Sequence, residues 1–221
     1  MARALLSNEL CRRRMVGEQL ARRDIIDPRV LAVFASVERE QFVPRDLTAH
    51  AYDDAPLPIG SGQTISQPYV VAMTVQALQL RGHERVLEIG TGSGYAAAIL
   101  GSLVHEVETV ERIEALARAA ADRLARLGFT NVHVHHGDGT LGWPAGAPYE
   151  AIAVAAGAPR PPRSLLNQLA IGGRLILPHG EIDHQHLARI TRRGTDQFDE
   201  EDLGEVRFVP LVGAEGWPEH P

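Results

Sequence analysis

The chain contains no lysine; all 22 of its basic residues are arginine, which reflects a GC-rich coding sequence and carries no chemical meaning. It contains one cysteine, Cys11, so an intrachain disulfide is excluded and nothing demands an oxidising compartment. No apolar run approaches the roughly 18 residues that a membrane span needs. The opening "MARALLSNELCRRRM" is charged too early for a signal peptide. A soluble cytoplasmic protein is expected. A net charge of -6 argues against a general nucleic-acid binder. No internal repeat is present. What remains is a chain of 221 residues, 44% hydrophobic, enough for one domain with an extension.

The charge is uneven. Residues 1–23 hold six arginines against Glu9 and Glu18, and residues 196–205, "DQFDEEDLGE", hold six acids and no base. These read as a basic helix face and a solvated acidic loop. Over residues 5–22, Leu6, Leu10, Val16 and Leu20 recur at helical spacing. Cys11 reads as a half-buried residue of that helix. Asp27-Pro28 is an N-cap followed by proline at the first helical position, and "RVLAVFASV" follows. Residues 50–68, "HAYDDAPLPIGSGQTISQP", form a long loop rich in Pro, Gly and Asp, and such loops are usually functional. Asp53 and Asp54 are turn residues there. Pro68 opens another helix.

From residue 81 the pattern changes. "RVLEIG" (85–90), "EVETVE" (106–111), "NVHVHH" (131–136), "YEAIAVAA" (149–156) and "GRLILPHG" (173–180) read as strands, with helical segments between them. Strands alternating with helices define βαβ units and a mostly parallel, doubly wound α/β sheet. "HLARITRR" and "GEVRFVPLVG" read as a final hairpin around the acidic loop. The division expected is a helical extension and active-site lid over 1–80 and a cofactor-binding α/β core with C-terminal strands over 81–221.

"VLEIGTGSGYAAA" is a strand, a tight glycine turn and a helix start, where the backbone can approach a ligand and free N–H groups face it. Glu111 ends the next strand, where an acid can hold both hydroxyls of a ribose. Gly92, Gly94 and Ala97 also satisfy the looser dinucleotide fingerprint, so the turn alone leaves an NAD-dependent oxidoreductase open. Two features favour S-adenosylmethionine. Glu88 at the strand end would repel a pyrophosphate but suits the ammonium of a methionine tail. Asp138, between Gly137 and Gly139, can reach the exocyclic amine of adenine. "EIGTGSG" resembles the class I methyltransferase turn, and the fold expected is Rossmann-like.

Taken with "AYDDAPLPIGSGQTISQPYVVA", "GDGTLGWPAGAPYEAIAVAAGAP", "LLNQLAIGGRLILPHG" and "VRFVPL", the chain resembles the bacterial type of protein-L-isoaspartate O-methyltransferase over residues 42–212. The resemblance implies methylation of the free α-carboxylate of isoaspartyl residues in damaged proteins and peptides, with S-adenosylhomocysteine as product. It implies that Ser66 is the active-site residue, and that Gln63, Thr64 and Ile65 flank cofactor and substrate. It implies cofactor contacts at Ile89, Gly90, Thr91, Gly92, Ser93, Glu111, Asp138 and Gly139. Val209, Pro210 and Leu211 would lie along the substrate's peptide backbone. The sequence departs at Val71, where animal members carry a histidine, and residues 181–205 align with nothing.

Other candidates read more simply. His133, His135 and His136 share a strand, and His184 and His186 share a face; no cysteine or carboxylate framework completes a metal site, so no metal is expected. Trp143 and Tyr149 read as core. Ser66 has a plain alternative as the cap of the helix after Pro68. Rival functions are a methyltransferase fold that only binds a partner, and a carboxyl methyltransferase acting on one specific peptide.

Overall fold

The computed structural model describes residues 2–219, with side chains from residue 8 onward. Helix α1 (Ala2–Arg14) runs directly into a π-helical turn, Met15–Leu20, so the single helix expected over 5–22 is two pieces. Among the described side chains only the second is core: Met15 and Leu20 are fully buried, whereas Leu10 is exposed. Leu6 lies outside the described side chains. Cys11 is exposed, not half-buried. Helix α2 (Pro28–Ser36) starts as its sequence dictates, with Asp27 accepting from the amides of Arg29 at 2.8 Å and Val30 at 3.4 Å.

The segment read as a long loop is partly a hairpin. β1 (Leu57–Gly60) and β2 (Gln63–Ile65) pair antiparallel around Ser61-Gly62. Both turn residues have positive φ, 51° and 69°, which is what a two-residue turn between right-twisted strands requires. Ile65 is buried and anchors the hairpin. Helix α3 (Pro68–Ala77) follows, with proline at its first turn.

The main sheet combines β3 (Arg85–Ile89), β4 (Glu106–Glu111), β5 (Val132–His136), β6 (Tyr149–Val154) and β7 (Leu169–Glu181), all parallel. β8 (His184–Gly194) and β9 (Gln197–Val206) extend it antiparallel, giving the order β5-β4-β3-β6-β7-β8-β9. Helices α4 (Tyr95–Gly101), α5 (Glu114–Arg126) and α6 (Arg163–Gln168) are the remaining helical connections. Strand side chains alternate faces. Val86, Val107, Ala151 and Ile176 join one core with Met15, Phe34, Val71 and Leu100; Leu87, Ile89, Ile152 and Leu175 join the other with Leu165 and Tyr149. The strand order reverses beside β3, between its neighbours β4 and β6, and the crevice at the C-terminal ends there is where open α/β sheets bind ligands.

The C-terminal edge corrects the sequence reading. The acidic segment is strand β9 itself, not a loop between strands. Its acids face bases on the neighbouring strands: Asp199 bonds Arg193, Glu201 bonds Arg189, and Glu200 bonds His179. Acidity hid the strand because strand propensity is read from apolar and β-branched residues, and an outer strand with an exposed face needs few of them.

Candidate functional site

The turn after β3 is built by glycine. Gly90 and Gly92 have φ of 92° and 51°, and Gly94, the N-cap of α4, has 86°. L side chains rarely adopt these angles, so the backbone passes close to whatever lies above it. Glu111 at the end of β4 fixes the turn: one carboxylate oxygen accepts from Gly92 N at 2.8 Å and the other from Ile113 N at 2.9 Å. A carboxylate has about four acceptor sites, so roughly two remain.

A cavity of about 260 Å³ opens over this turn. Of the residues singled out in the sequence, 63–66, 89–93, Glu111, Gly139 and 209–211 line it. Gly139 is there because nothing larger fits: a Cβ would stand 2.5 Å from Ile89 Cγ2. Glu88 and Asp138 are not on this wall. Glu88 points to the opposite face from Leu87 and Ile89, behind the cavity, where it is 1% exposed. Thr109 donates to its Oε2 at 2.5 Å, and its Oε1 has no partner. Burial pushes its pKa up to about 8, against the Thr109 hydrogen bond and with the Glu111 charge. Asp138 instead accepts from Thr140 N at 2.9 Å, Thr140 Oγ1 at 2.7 Å and Ala214 N at 2.8 Å, holding the short turn at Gly139–Leu141.

Ser66 follows the hairpin. It does not cap α3: the N-cap is Gln67, and no side chain makes the cap hydrogen bond. Its main chain is held by a residue that sequence reasoning missed. Arg39, fully buried, donates from Nη2 to Ser66 O at 2.9 Å and from Nε to Ala51 O at 2.7 Å. Its Cζ lies 4.8 Å from the centroid of the Tyr95 ring. Nη1 has no partner, no carboxylate pairs with the guanidinium among the described residues, and burial lowers its pKa. Nothing in "VEREQF" distinguishes this arginine from a surface charge.

A wider groove of about 840 Å³ lies beyond Ser66, walled by Tyr69, Met73, Ile182 and Arg207 among others. The cavity and the groove share Thr64, Ser66, Ala155, Val209 and Pro210. Ser66 therefore stands at their junction. The chain leaving β9 forms the opposite wall. Gly157 N donates to Val209 O and Leu211 N to Gly157 O, both at 2.8 Å. Buried Gln185 holds Phe208 through both amide groups, at 2.8 and 3.1 Å. Of the two residues read as core, Tyr149 is buried with its hydroxyl on Trp143 O, whereas Trp143 is half-buried, packs against that core and stacks on His135 at 3.8 Å. Asp53 and Asp54 pair with His50 and Arg23.

A doubly wound sheet whose glycine turn and strand-end acid enclose a cavity at the switch point is the frame of a Rossmann-like cofactor-dependent enzyme, and the family match makes the chain an S-adenosylmethionine-dependent methyltransferase of that class. The chain belongs to the family described as protein-L-isoaspartate(D-aspartate) O-methyltransferase, whose sequence model matches residues 11–216. It is 58% identical to protein-L-isoaspartate O-methyltransferase 1 of Rhodopseudomonas palustris (strain HaA2), over 93% of this chain and 84% of that protein. It is 56% identical to protein-L-isoaspartate O-methyltransferase 2 of Pelobacter propionicus, over 97% and 96%. Among solved structures, it is similar to a protein-L-isoaspartate O-methyltransferase with a TM-score of 0.84 and 28% identity, covering 92% of this chain and 67% of that one. A Plasmodium falciparum protein titled a putative member, in complex with S-adenosyl-L-homocysteine, gives 0.79 at 27% identity, covering 91% and 98%. The dinucleotide-dependent and binding-only alternatives find no support in these similarities. No helix among the described residues is long and apolar enough to cross a membrane.

Proposed function

We propose that this chain methylates the α-carboxylate of isoaspartyl residues in peptides and damaged proteins, with Ser66 holding that carboxylate where the cofactor cavity and the peptide groove meet. The single observation that carries the reading is the position of Ser66 on both walls. The cavity residues fit S-adenosylmethionine: the Gly90 and Gly92 backbone leaves room that a side chain would fill, and Glu111 retains acceptor capacity for ribose hydroxyls. When bound, the cofactor supplies an electrophilic methyl group on a sulfonium.

The nucleophile needs no base, because an α-carboxyl with a reference pKa of roughly 3.3 to 3.7 is already ionised at neutral pH. The protein's task is alignment and exclusion of water. The Ser66 hydroxyl donates one hydrogen bond, orienting the carboxylate without neutralising it. Arg39, held behind the Ser66 peptide, fixes the serine and sets a buried positive charge near the incoming anion. With the cofactor bound, transfer would form the O–CH3 bond as the S–CH3 bond breaks, leaving an ester and a thioether, both neutral at the reacting atoms. Residues 209–211 line the cavity, and Val209 and Pro210 the groove as well, so the substrate peptide can lie against them. Glu88 and Asp138 act behind the wall, on the turns that carry Thr91 and Gly139.

The decisive experiment compares methyl transfer to two peptides of identical sequence, one with an isoaspartyl and one with an ordinary aspartyl linkage. Transfer to the isoaspartyl peptide alone supports the reading. Equal transfer to both, or to neither, sinks it.

A further inference from the structure

The β8–β9 hairpin supplies the carboxylates that no local sequence pattern showed beside the paired histidines. His184 and His186 stand two apart on β8 and share a face, and Glu205 on β9 is the cross-strand partner of His186. One ring nitrogen of each histidine and one carboxylate oxygen of Glu205 all lie within 4.8 Å of one another. His184 Nε2 is 3.9 Å from Glu205 Oε1, and the two imidazoles meet edge to face with centroids 5.3 Å apart. Asp202 brings an oxygen to 3.2 Å from His186 Nδ1. That nitrogen is buried, yet no aligned hydrogen bond satisfies it. A buried unsatisfied nitrogen calls for a partner. From β7, Glu181 stands opposite His184, and His179, bonded to Glu200, stands opposite His186.

We propose that His184, His186 and Glu205 bind one divalent transition-metal ion, with Asp202 orienting His186 or completing the site. Two imidazoles and a carboxylate are a donor set for zinc, nickel or copper, whereas magnesium and calcium prefer all-oxygen sites. With neutral histidines, Glu205 and Asp202 carry two negative charges, which a dication neutralises. Tetrahedral zinc with bonds of about 2.0 to 2.2 Å needs donor atoms roughly 3.3 to 3.6 Å apart. Closing from the observed spacing takes only side-chain rotation, because His184 is 65% and Glu205 74% exposed at the side chain.

The competing explanation is a set of ion pairs between protonated histidines and these acids. The two differ in sign with pH. Ion pairs need imidazolium and strengthen with acid, whereas metal ligation needs neutral imidazole and weakens with acid. Glu205 also lines the groove beyond Ser66, with Arg207 and Phe208. A bound metal would clip β8 to β9 where the chain turns from the sheet toward Leu211. The proposal does not depend on the methyltransferase reading.

The test uses the full-length chain without an affinity tag, stripped with chelator. It is titrated with zinc chloride by calorimetry at pH 7.5 and with cobalt chloride by visible absorption. Expected is a single zinc per chain with a dissociation constant below about 0.1 mM, and a cobalt ligand-field spectrum. His184→Gln and His186→Gln should each weaken zinc at least about tenfold, as should lowering the pH to 5.5. His133→Gln, on β5, should change nothing, and magnesium should not bind. Zinc weaker than that threshold, or zinc binding that survives His184→Gln and His186→Gln together, overturns the proposal. Thermal melts of the variants check the fold, and the exposed His184 keeps the test valid should His186→Gln unfold.

Discussion

Arg39 Nη2 donates to the backbone carbonyl of Ser66 at 2.9 Å, and no carboxylate answers its charge among the described residues. A buried cation without a counter-ion is costly unless something negative arrives. In the proposed function the substrate carboxylate supplies that charge. Arg39→Gln is therefore expected to weaken binding of isoaspartyl peptide, and to do so far more than binding of the same peptide as its methyl ester. Arg39→Lys should restore part of that discrimination. Competition assays with acid and ester forms measure it; equal losses for both would reduce Arg39 to a packing role.

Ser66→Ala should lower turnover of isoaspartyl peptide by about 10- to 1000-fold, the range seen when one positioned donor is removed. Affinity for S-adenosylhomocysteine should change far less. Ser66→Thr should keep part of the activity. Steady-state kinetics with calorimetry separates the two effects, and full activity in Ser66→Ala would remove the serine from the mechanism.

Glu111 both braces the glycine turn and retains acceptor sites toward the cavity. Glu111→Ala should weaken cofactor binding by about 1 to 3 kcal/mol. Calorimetry reads this directly. An unchanged affinity would mean the ribose is held elsewhere.

Glu88 makes a prediction about stability. Its folded pKa, about 8, lies above the ordinary carboxyl value, so the folded state holds a proton that the unfolded state has released. Its favourable contribution is complete below about pH 4.5 and is lost as pH rises through 8. Glu88→Gln keeps the neutral shape at every pH. The variant's melting temperature should therefore rise relative to that of the unmodified chain between pH 5 and 9. Parallel melting curves across that range would show that Glu88 is already ionised at its low end.

Strand β2 of the β1–β2 hairpin lines the cavity. Amide exchange over residues 57–65 should slow when S-adenosylhomocysteine is added. Unchanged exchange there would argue against closure over the ligand.

The parallel sheet and the glycine turn were legible because each leaves a local mark: period-two apolar runs, and glycines between strand and helix. Glu111 followed from its place at a strand end, whereas residues 63–66 and 209–211 left no such mark and were placed by the resemblance to the family. Glu88 was misdirected because sequence places it at a strand end without saying which face it takes; Val86 and Ile89 settle that only once both cores are known. The Ser61-Gly62 turn was hidden inside a run of other glycines and prolines. Arg39 left no mark at all, since a charged residue in a polar stretch reads as solvated until the partner carbonyl, 27 residues away, is folded onto it. Strand β9 was hidden by its acids, and the histidine–carboxylate cluster with it.

Those acids have a consequence for how the molecule meets its clients. A protein that handles damaged chains encounters extended, partly unfolded segments, and any open strand border is a place where such a segment can stick. β9 ends the sheet on one side with five acids in ten residues. Strand addition there would bring a guest backbone against a row of like charges. The extended run at 209–211, beside Ser66, has no acid in it. The molecule thus discourages adhesion along its flank and carries no such charge on the stretch next to the chemistry.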